Sequence, residues 1–356
     1  MIAIEKLRCR MQQDDIDAIL INDEVNSRYL SGFLYHDGAF LLTKSEAHIL
    51  TDFRYYEAAK NQTDGRITVT QTKERKKYIL EVLSSCSARR IGFLGASVSF
   101  KDYMQLALDF SDFELIDIGN LIDEIRAIKS DYEIECISKA QQIADKAFEV
   151  LLGRISLNMT EIEVAAEIDY LIRRGGAEGS AFDTIAVSGD ASSVPHGVPR
   201  NVKLNHGFLT MDFGAKVNGY CSDMTRTVVI GKADADMKHL YSTVLEAQRA
   251  ALDFIKAGII ASEADSVARK IIESHQKYKN AFGHSLGHSL GLNVHEAPSL
   301  SPKNSKTILR TGNIVTVEPG IYLEGKYGCR IEDLILVLDN GIRNFTKSTK
   351  DLIEIY

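Results

Sequence analysis

The stretch Leu209–Val229, LTMDFGAKVNGYCSDMTRTVV, places two acids, Asp212 and Asp223, on either side of the dipeptide Asn218-Gly219. Both central residues of a tight hairpin turn take positive φ, and Asn-Gly is the strongest short signal for one, so a two-residue hairpin is predicted. In that register, facing residues have numbers that sum to 437. Asp212 then opposes Thr225, and Asp223, two residues from Thr225, projects from the same face of the ladder. Two carboxylates converge on one side.

A second stretch, Val315–Leu338, VTVEPGIYLEGKYGCRIEDLILVL, repeats the theme with Glu318 and Glu332. Its turn lies among Glu324, Gly325, Lys326 and Gly328, and its length is open. Centred on Gly325, it sets Glu318 directly across from Glu332; a four-residue loop sends them to opposite faces. Crowded carboxylates raise one another's pKa unless a cation holds them, and a pair of divalent ions uses bridging oxygen ligands of this kind. Asp212 and Glu318 sit in apolar runs where an unpaired charge is costly, which argues against ordinary surface acids.

Between the two hairpins runs Gly283–Glu296, GHSLGHSLGLNVHE. Gly283, Gly287 and Gly291 each cost about 1 kcal/mol in a helix relative to alanine, so the stretch reads as loop leading into strand. A lone histidine is more often a satisfied polar residue than a ligand. Three of them, His284, His288 and His295, beside two acidic hairpins read as functional, imidazole being the commonest nitrogen ligand of catalytic metals. His196, in SSVPHGVP, is a fourth candidate on an exposed loop. Arg330, two residues before Glu332 on the same face, reads as a partner that fixes a ligand carboxylate. Cys221 shares a strand face with Asp223, but carboxylate-rich sites select harder ions than a thiol does, so it reads as a packed residue.

The whole chain has 356 residues, 45% of them hydrophobic, and a formal charge of -7. That length accommodates two domains, and mild acidity argues against a nucleic-acid partner. The N-terminal MIAIEKLRCRMQQDD interrupts every apolar stretch with charge, and no later segment approaches the ~18 uncharged apolar residues of a spanning helix, so no membrane association is expected. Five scattered cysteines form no disulfide framework, and a reducing cytoplasm is the expected location.

Residues 1–125 alternate strand-like pieces (DAILIND, GAFLLTKSEAHILT, RRIGFLG) with a helix over DFRYYEAAKNQ, as in a small α/β domain. Its Asp37, His36 and Arg54 lie near loops able to lean over a neighbouring site. From residue 128 the pattern changes. Capping boxes at Ser130/Glu133 and Thr160/Glu163 open two helices ahead of the Asp212 hairpin, and two more helices from Asp234 and Ser262 precede the Glu318 hairpin. Helix, helix, hairpin thus occurs twice. One pseudo-symmetric α+β domain, residues 128–356, would bring both hairpins to its centre.

SVPHG, MDFGAKVNGYCSDMTRT, FGHSLGHSLGLNVHEAP, VTVEPGIY and RIED, in this order, resemble the "pita-bread" metallopeptidases, specifically the X-Pro branch with aminopeptidase P and prolidase. The resemblance covers residues 128–356 strongly, and an α/β creatinase-like N-terminal domain fits that branch. It implies five metal ligands, Asp212, Asp223, His288, Glu318 and Glu332, with Asp223 and Glu332 bridging two ions. Manganese or cobalt is implied, with zinc as the alternative. His196, His284 and His295 would be substrate-side residues, Glu318 a proton shuttle and Arg330 a brace. The implied substrates are small peptides with proline in second position, and the implied assembly is a homodimer. In strict dipeptidases of the family an arginine four residues after the histidine of VHE holds the substrate carboxylate; here that position is Ser299. An Xaa-Pro aminopeptidase is therefore expected, with an Xaa-Pro dipeptidase as the alternative. A creatinase-like amidinohydrolase, which would lack the ligands, and a non-enzymatic scaffold are less well matched.

Overall fold

The predicted helix starts are present. Ser130 N–H donates to the Glu133 carboxylate at 2.9 Å and Thr160 N–H to that of Glu163 at 2.7 Å, and helices run over Asp131–Leu152 and Glu161–Arg174. Asp234 caps a third helix, Ala235–Phe254, by accepting from Met237 N–H, and a fourth spans Ala261–Ser274. This computed structural model describes residues 2–356.

The chain divides into two compact units, Met1–Arg126 and Ala127–Tyr356. The first is built on a six-stranded sheet. Gly38–Thr43 and Ala47–Thr51 form an antiparallel hairpin, while Ala18–Ile21 pairs parallel with Arg90–Phe93. Its two apolar clusters lie on opposite faces: Ile19, Ile21, Phe40 and Leu42 belong to one, Ala18, Leu20, Ala39 and Leu41 to the other. Such strands, buried on both faces, read as continuous apolar runs. Within this unit Asp37 accepts from Arg54 and Arg75, and His36 meets Glu24 at 2.9 Å.

In the second unit, strands Ile185–Ser188, Gly207–Phe213, Met224–Ile230 and Glu354–Ile355 form one sheet. Strands Glu296–Leu300, Gly287–Ser289, Ile314–Val317, Asp333–Leu338 and Gly341–Asn344 form another. Each sheet carries a helix pair. Leu209, Met211 and Phe213 pack with Ala144, Phe148, Ile168 and Ile172 of the first pair. Val315, Val317, Ile335 and Val337 pack with Leu240, Val244, Ala264 and Ala268 of the second. Each fully buried aliphatic side chain contributes roughly 1.5–3 kcal/mol. Strand alternation then sends Thr210 and Asp212, and likewise Thr316 and Glu318, to the opposite faces. Burying one face of each hairpin is what directs its acids toward the centre.

The five cysteines are all free thiols, and Cys136, Cys221 and Cys329 are buried. Among the described residues no helix is long and apolar enough to cross a membrane.

Candidate metal centre and active site

The first hairpin has the predicted register. Thr225 faces Asp212, and Val217 faces Tyr220 across the turn, with Asn218 at φ 49° and Gly219 at φ 81°. Only a residue without a side chain, or one with a short polar side chain, takes such angles cheaply. The second hairpin settles on the three-residue turn: Leu323 pairs with Tyr327, and Gly325 sits at its centre. The ladders on either side of the acids, Val317 with Asp333 and Gly320 with Arg330, share one register. Glu318 and Glu332 fall in the break between them, on facing positions.

Asp223, His288 and Glu332 each offer a ligand atom within 4.8 Å of the others. His288 Nε2 lies 3.4 Å from Glu318 Oε1 and 3.7 Å from Asp223 Oδ2. Asp212 stands at the edge of this group, with Oδ2 held at 2.6 Å by Arg330 Nη2. Oδ1 of Asp212, Oδ1 of Asp223 and Oε1 of Glu332 are buried and meet no donor among the described residues. Orphaned carboxylate oxygens are costly in an apolar interior unless a cation answers them. Four carboxylates and one imidazole therefore fit divalent ions. Cys221 lies outside the group; its thiol approaches Leu292 O at 3.8 Å.

Electrostatics follow from the crowding. Burial, then the charge of Glu332, pushes Asp223 well above the carboxylate range, and burial with Glu318 and Asp212 does the same to Glu332. Glu318 is raised to about 7, chiefly by burial. Burial lowers His288, and lowers His284 to about 4, so both rings are neutral at pH 7. Burial and the neighbouring His288 and His196 lower His295 as well.

The histidines divide by environment. His288 and His295 are in contact, with ring centroids 4.2 Å apart and planes inclined at 57°. His295 and His196 are exposed, each able to turn an N–H toward a bound molecule. His284 is engaged on both nitrogens: Nδ1 meets Ser285 O at 2.8 Å and Nε2 meets the Tyr322 hydroxyl at 3.0 Å. With Nδ1 carrying the proton to the carbonyl, Nε2 accepts from Tyr322.

Arg330 is the hub of the supporting structure. Besides Asp212, it donates to Thr225 Oγ1 at 2.9 Å, the Tyr322 hydroxyl at 2.8 Å and Pro195 O, the residue before His196, at 3.2 Å. Thr225 in turn donates to Glu332 at 2.7 Å. Tyr322 and Thr225 were missed in the sequence reading, although the hairpin register contained the signal. Tyr322 faces Gly328, so Arg330 is its diagonal same-face neighbour. Arg226 was also missed: its buried guanidinium donates to the carbonyls of Thr225 and Glu332 and to Asp333, tying the two hairpins together behind the acids.

Residues 135–339 match the model of metallopeptidase family M24, and residues 4–128 match the creatinase/prolidase N-terminal domain. The chain belongs to metallopeptidase family M24. Its fold is the pita-bread fold of the X-Pro group, preceded by a creatinase-type domain, and as an M24 enzyme it is a metallo-exopeptidase. It is similar to a solved Xaa-Pro dipeptidase of Bacillus anthracis, with TM-score 0.94 and 39% identity, covering 99% of both chains. A solved X-Pro aminopeptidase of Thermotoga maritima follows at TM-score 0.92 and 36% identity, again over 99% of both. The Xaa-Pro dipeptidase of Pyrococcus furiosus is 38% identical over 353 residues, 98% of this M24 chain and 99% of its own length.

Proposed function

We propose that this M24 enzyme is an Xaa-Pro dipeptidase working with two divalent ions. The observation that carries the metal site is the buried set of carboxylate oxygens without donors around Asp223, Glu332 and His288. Asp212 and Asp223 would hold one ion, His288, Glu318 and Glu332 the other, with Asp223 and Glu332 shared. A set dominated by oxygen donors suits manganese, and cobalt or zinc accept the imidazole as readily. When bound, such a pair acidifies water towards neutral pH and polarises a carbonyl.

The chain's own residues do the rest. Glu318, its carboxylate 3.4 Å from His288 Nε2, accepts a proton from the attacking water and returns it to the departing proline nitrogen. His295 and His196 donate to the scissile carbonyl as negative charge builds there, a contribution worth about 2.7–4 kcal/mol per donor in well-placed cases. His284, neutral and held from both sides, keeps Tyr322 against Arg330. An X-Pro amide carries no N–H, so a pocket that asks for no hydrogen bond there favours it.

The dipeptide specificity is supported by two relatives spanning nearly the whole chain, from Pyrococcus furiosus and Bacillus anthracis, both named as Xaa-Pro dipeptidases. Ser299 pointed instead to an aminopeptidase. In the structure its hydroxyl and carbonyl both accept from the Asn304 amide, at 2.7 and 2.8 Å, so the position is occupied by a local contact and is a weak guide to substrate length. The Thermotoga maritima likeness keeps the aminopeptidase as the second reading. The test is hydrolysis of Ala-Pro against Ala-Pro-Ala by chelator-stripped protein resupplied with manganese, cobalt or zinc. Cleavage of Ala-Pro alone is expected. Equal cleavage of the tripeptide selects the aminopeptidase, and neither cleaved with any metal overturns the proposal.

A further inference from the structure

One buried lysine has no part in the chemistry described so far. Lys129 has a side chain 1% exposed, and its ammonium donates to Ser289 Oγ at 3.0 Å and meets Glu296 Oε2 at 3.4 Å, a carboxylate itself 7% exposed. Lysines are seldom buried unless paired, and the desolvation of two such charges is recovered only in good geometry. The pair therefore calls for a reason at this place.

Its neighbours supply one. Ser289 follows His288, and Glu296 follows His295. The Ser289 carbonyl faces His288 Nδ1 at 3.1 Å, leaving Nε2 toward Asp223 and Glu318. Glu296 closes the loop between the two histidines, with Oε1 accepting from Asn293 N–H at 3.0 Å. Its carboxylate fills the space where a side chain at Gly291 would stand, at 2.7 Å from a Cβ there. Gly291 O accepts from Cys221 N–H at 2.7 Å, two residues before Asp223. Lys129 is itself anchored, because its N–H donates to Gly312 O and Ala127 O accepts from the Asn313 amide. One fixed ammonium thus grips the residue after each of two histidines whose rings touch.

We propose that Lys129, through its pair with Glu296 and its bond to Ser289, is a positioning residue that holds His288 and His295 in working alignment. The inference rests on the proposed function for its kinetic readout and on the fold alone for its spectroscopic one. Three variants test it: Lys129→Met, Glu296→Gln and the double variant, which leaves no buried charge unpaired. Each is measured for melting temperature, for kcat and KM on Ala-Pro at saturating manganese, and for histidine-ring NMR signals in the metal-free state.

In the double variant, melting within a few degrees of the parent is expected, with KM little changed. Its kcat is expected to fall by about ten- to a hundredfold, the range for supports behind metal-site residues, with displaced His288 and His295 signals. Parental kcat together with unmoved ring signals in a folded double variant overturns the proposal. So does failure of all three variants to fold, which makes the pair a stability element only. If the parent protein cleaves no Xaa-Pro peptide, the functional reading fails separately, and the ring signals alone decide the alignment role.

Discussion

Arg330 Nη2 stands 2.6 Å from Asp212 Oδ2, joining one acid of the first hairpin to an arginine of the second across more than a hundred residues of chain. The same guanidinium reaches Thr225, Tyr322 and Pro195, so it aligns both hairpins and the segment before His196 at once. A planar fork with several fixed donors can do this; a single ammonium cannot.

Arg330→Met is accordingly expected to weaken manganese binding and lower kcat, each by about ten- to a hundredfold, and Arg330→Lys to restore little of either. Metal titration followed by Ala-Pro hydrolysis measures both. Parental manganese affinity in Arg330→Met would show that Asp212 needs no brace.

Asp223→Asn removes one charge from a cluster in which burial and Glu332 already disfavour ionisation. Turnover is expected to disappear while the metal-free protein melts at the parental temperature or above it at pH 8, because a repulsion has gone. Near-normal activity in this variant contradicts the proposed ligand set.

The metal-free protein should lose stability as pH rises from about 6.5 to 8. Glu318 is raised to about 7, chiefly by burial, and Asp223 and Glu332 are raised in the same direction, so the folded state binds more protons than the unfolded one in this window. Each unit of raised pKa amounts to about 1.4 kcal/mol once the pH exceeds the folded value. Below about 6.5 the lowered histidines, His284 among them, oppose the trend, since the unfolded chain protonates them first. Manganese should reverse the slope, because its ligands bind deprotonated. Thermal melts with chelator and with metal measure this; a flat chelator profile across the window would refute it.

Tyr322→Phe leaves Arg330 short of one acceptor and His284 Nε2 without its donor. The expected loss in kcat/KM is about tenfold, or ~1.4 kcal/mol, with metal content unchanged. Kinetics and elemental analysis on the same preparation separate this from metal loss, and a variant depleted of metal would place Tyr322 in ion retention instead.

Arg226→Met should act on stability. Asp333 is fully buried; burial raises its pKa, but Arg226 and Lys350 hold it below the usual range on balance. Removing one partner of a buried pair costs about 3–5 kcal/mol. Denaturant unfolding gives the value, and a loss below about 1 kcal/mol would show that Lys350 suffices.

The register of the Asp212 hairpin was legible from Asn218-Gly219 because a two-residue turn is a local object whose angles follow from its own residues. The capping boxes at Ser130 and Thr160 were legible for the same reason. The turn at Gly325 was not, since Glu324, Lys326 and Gly328 tolerate more than one loop. Its three-residue form is set by the ladder Ile314–Val317 with Asp333–Leu338, whose apolar face must meet the second helix pair. The chain's own residues thus established a family, two acidic hairpins and a histidine strand. That Arg226 joins those hairpins, that Tyr322 completes the contact of Arg330 with His284, and that Lys129 lies beneath the histidine loop were decided by tertiary packing. Those partners are distant in sequence or differ from many similar residues only in burial, and burial belongs to the folded molecule rather than to any segment of it.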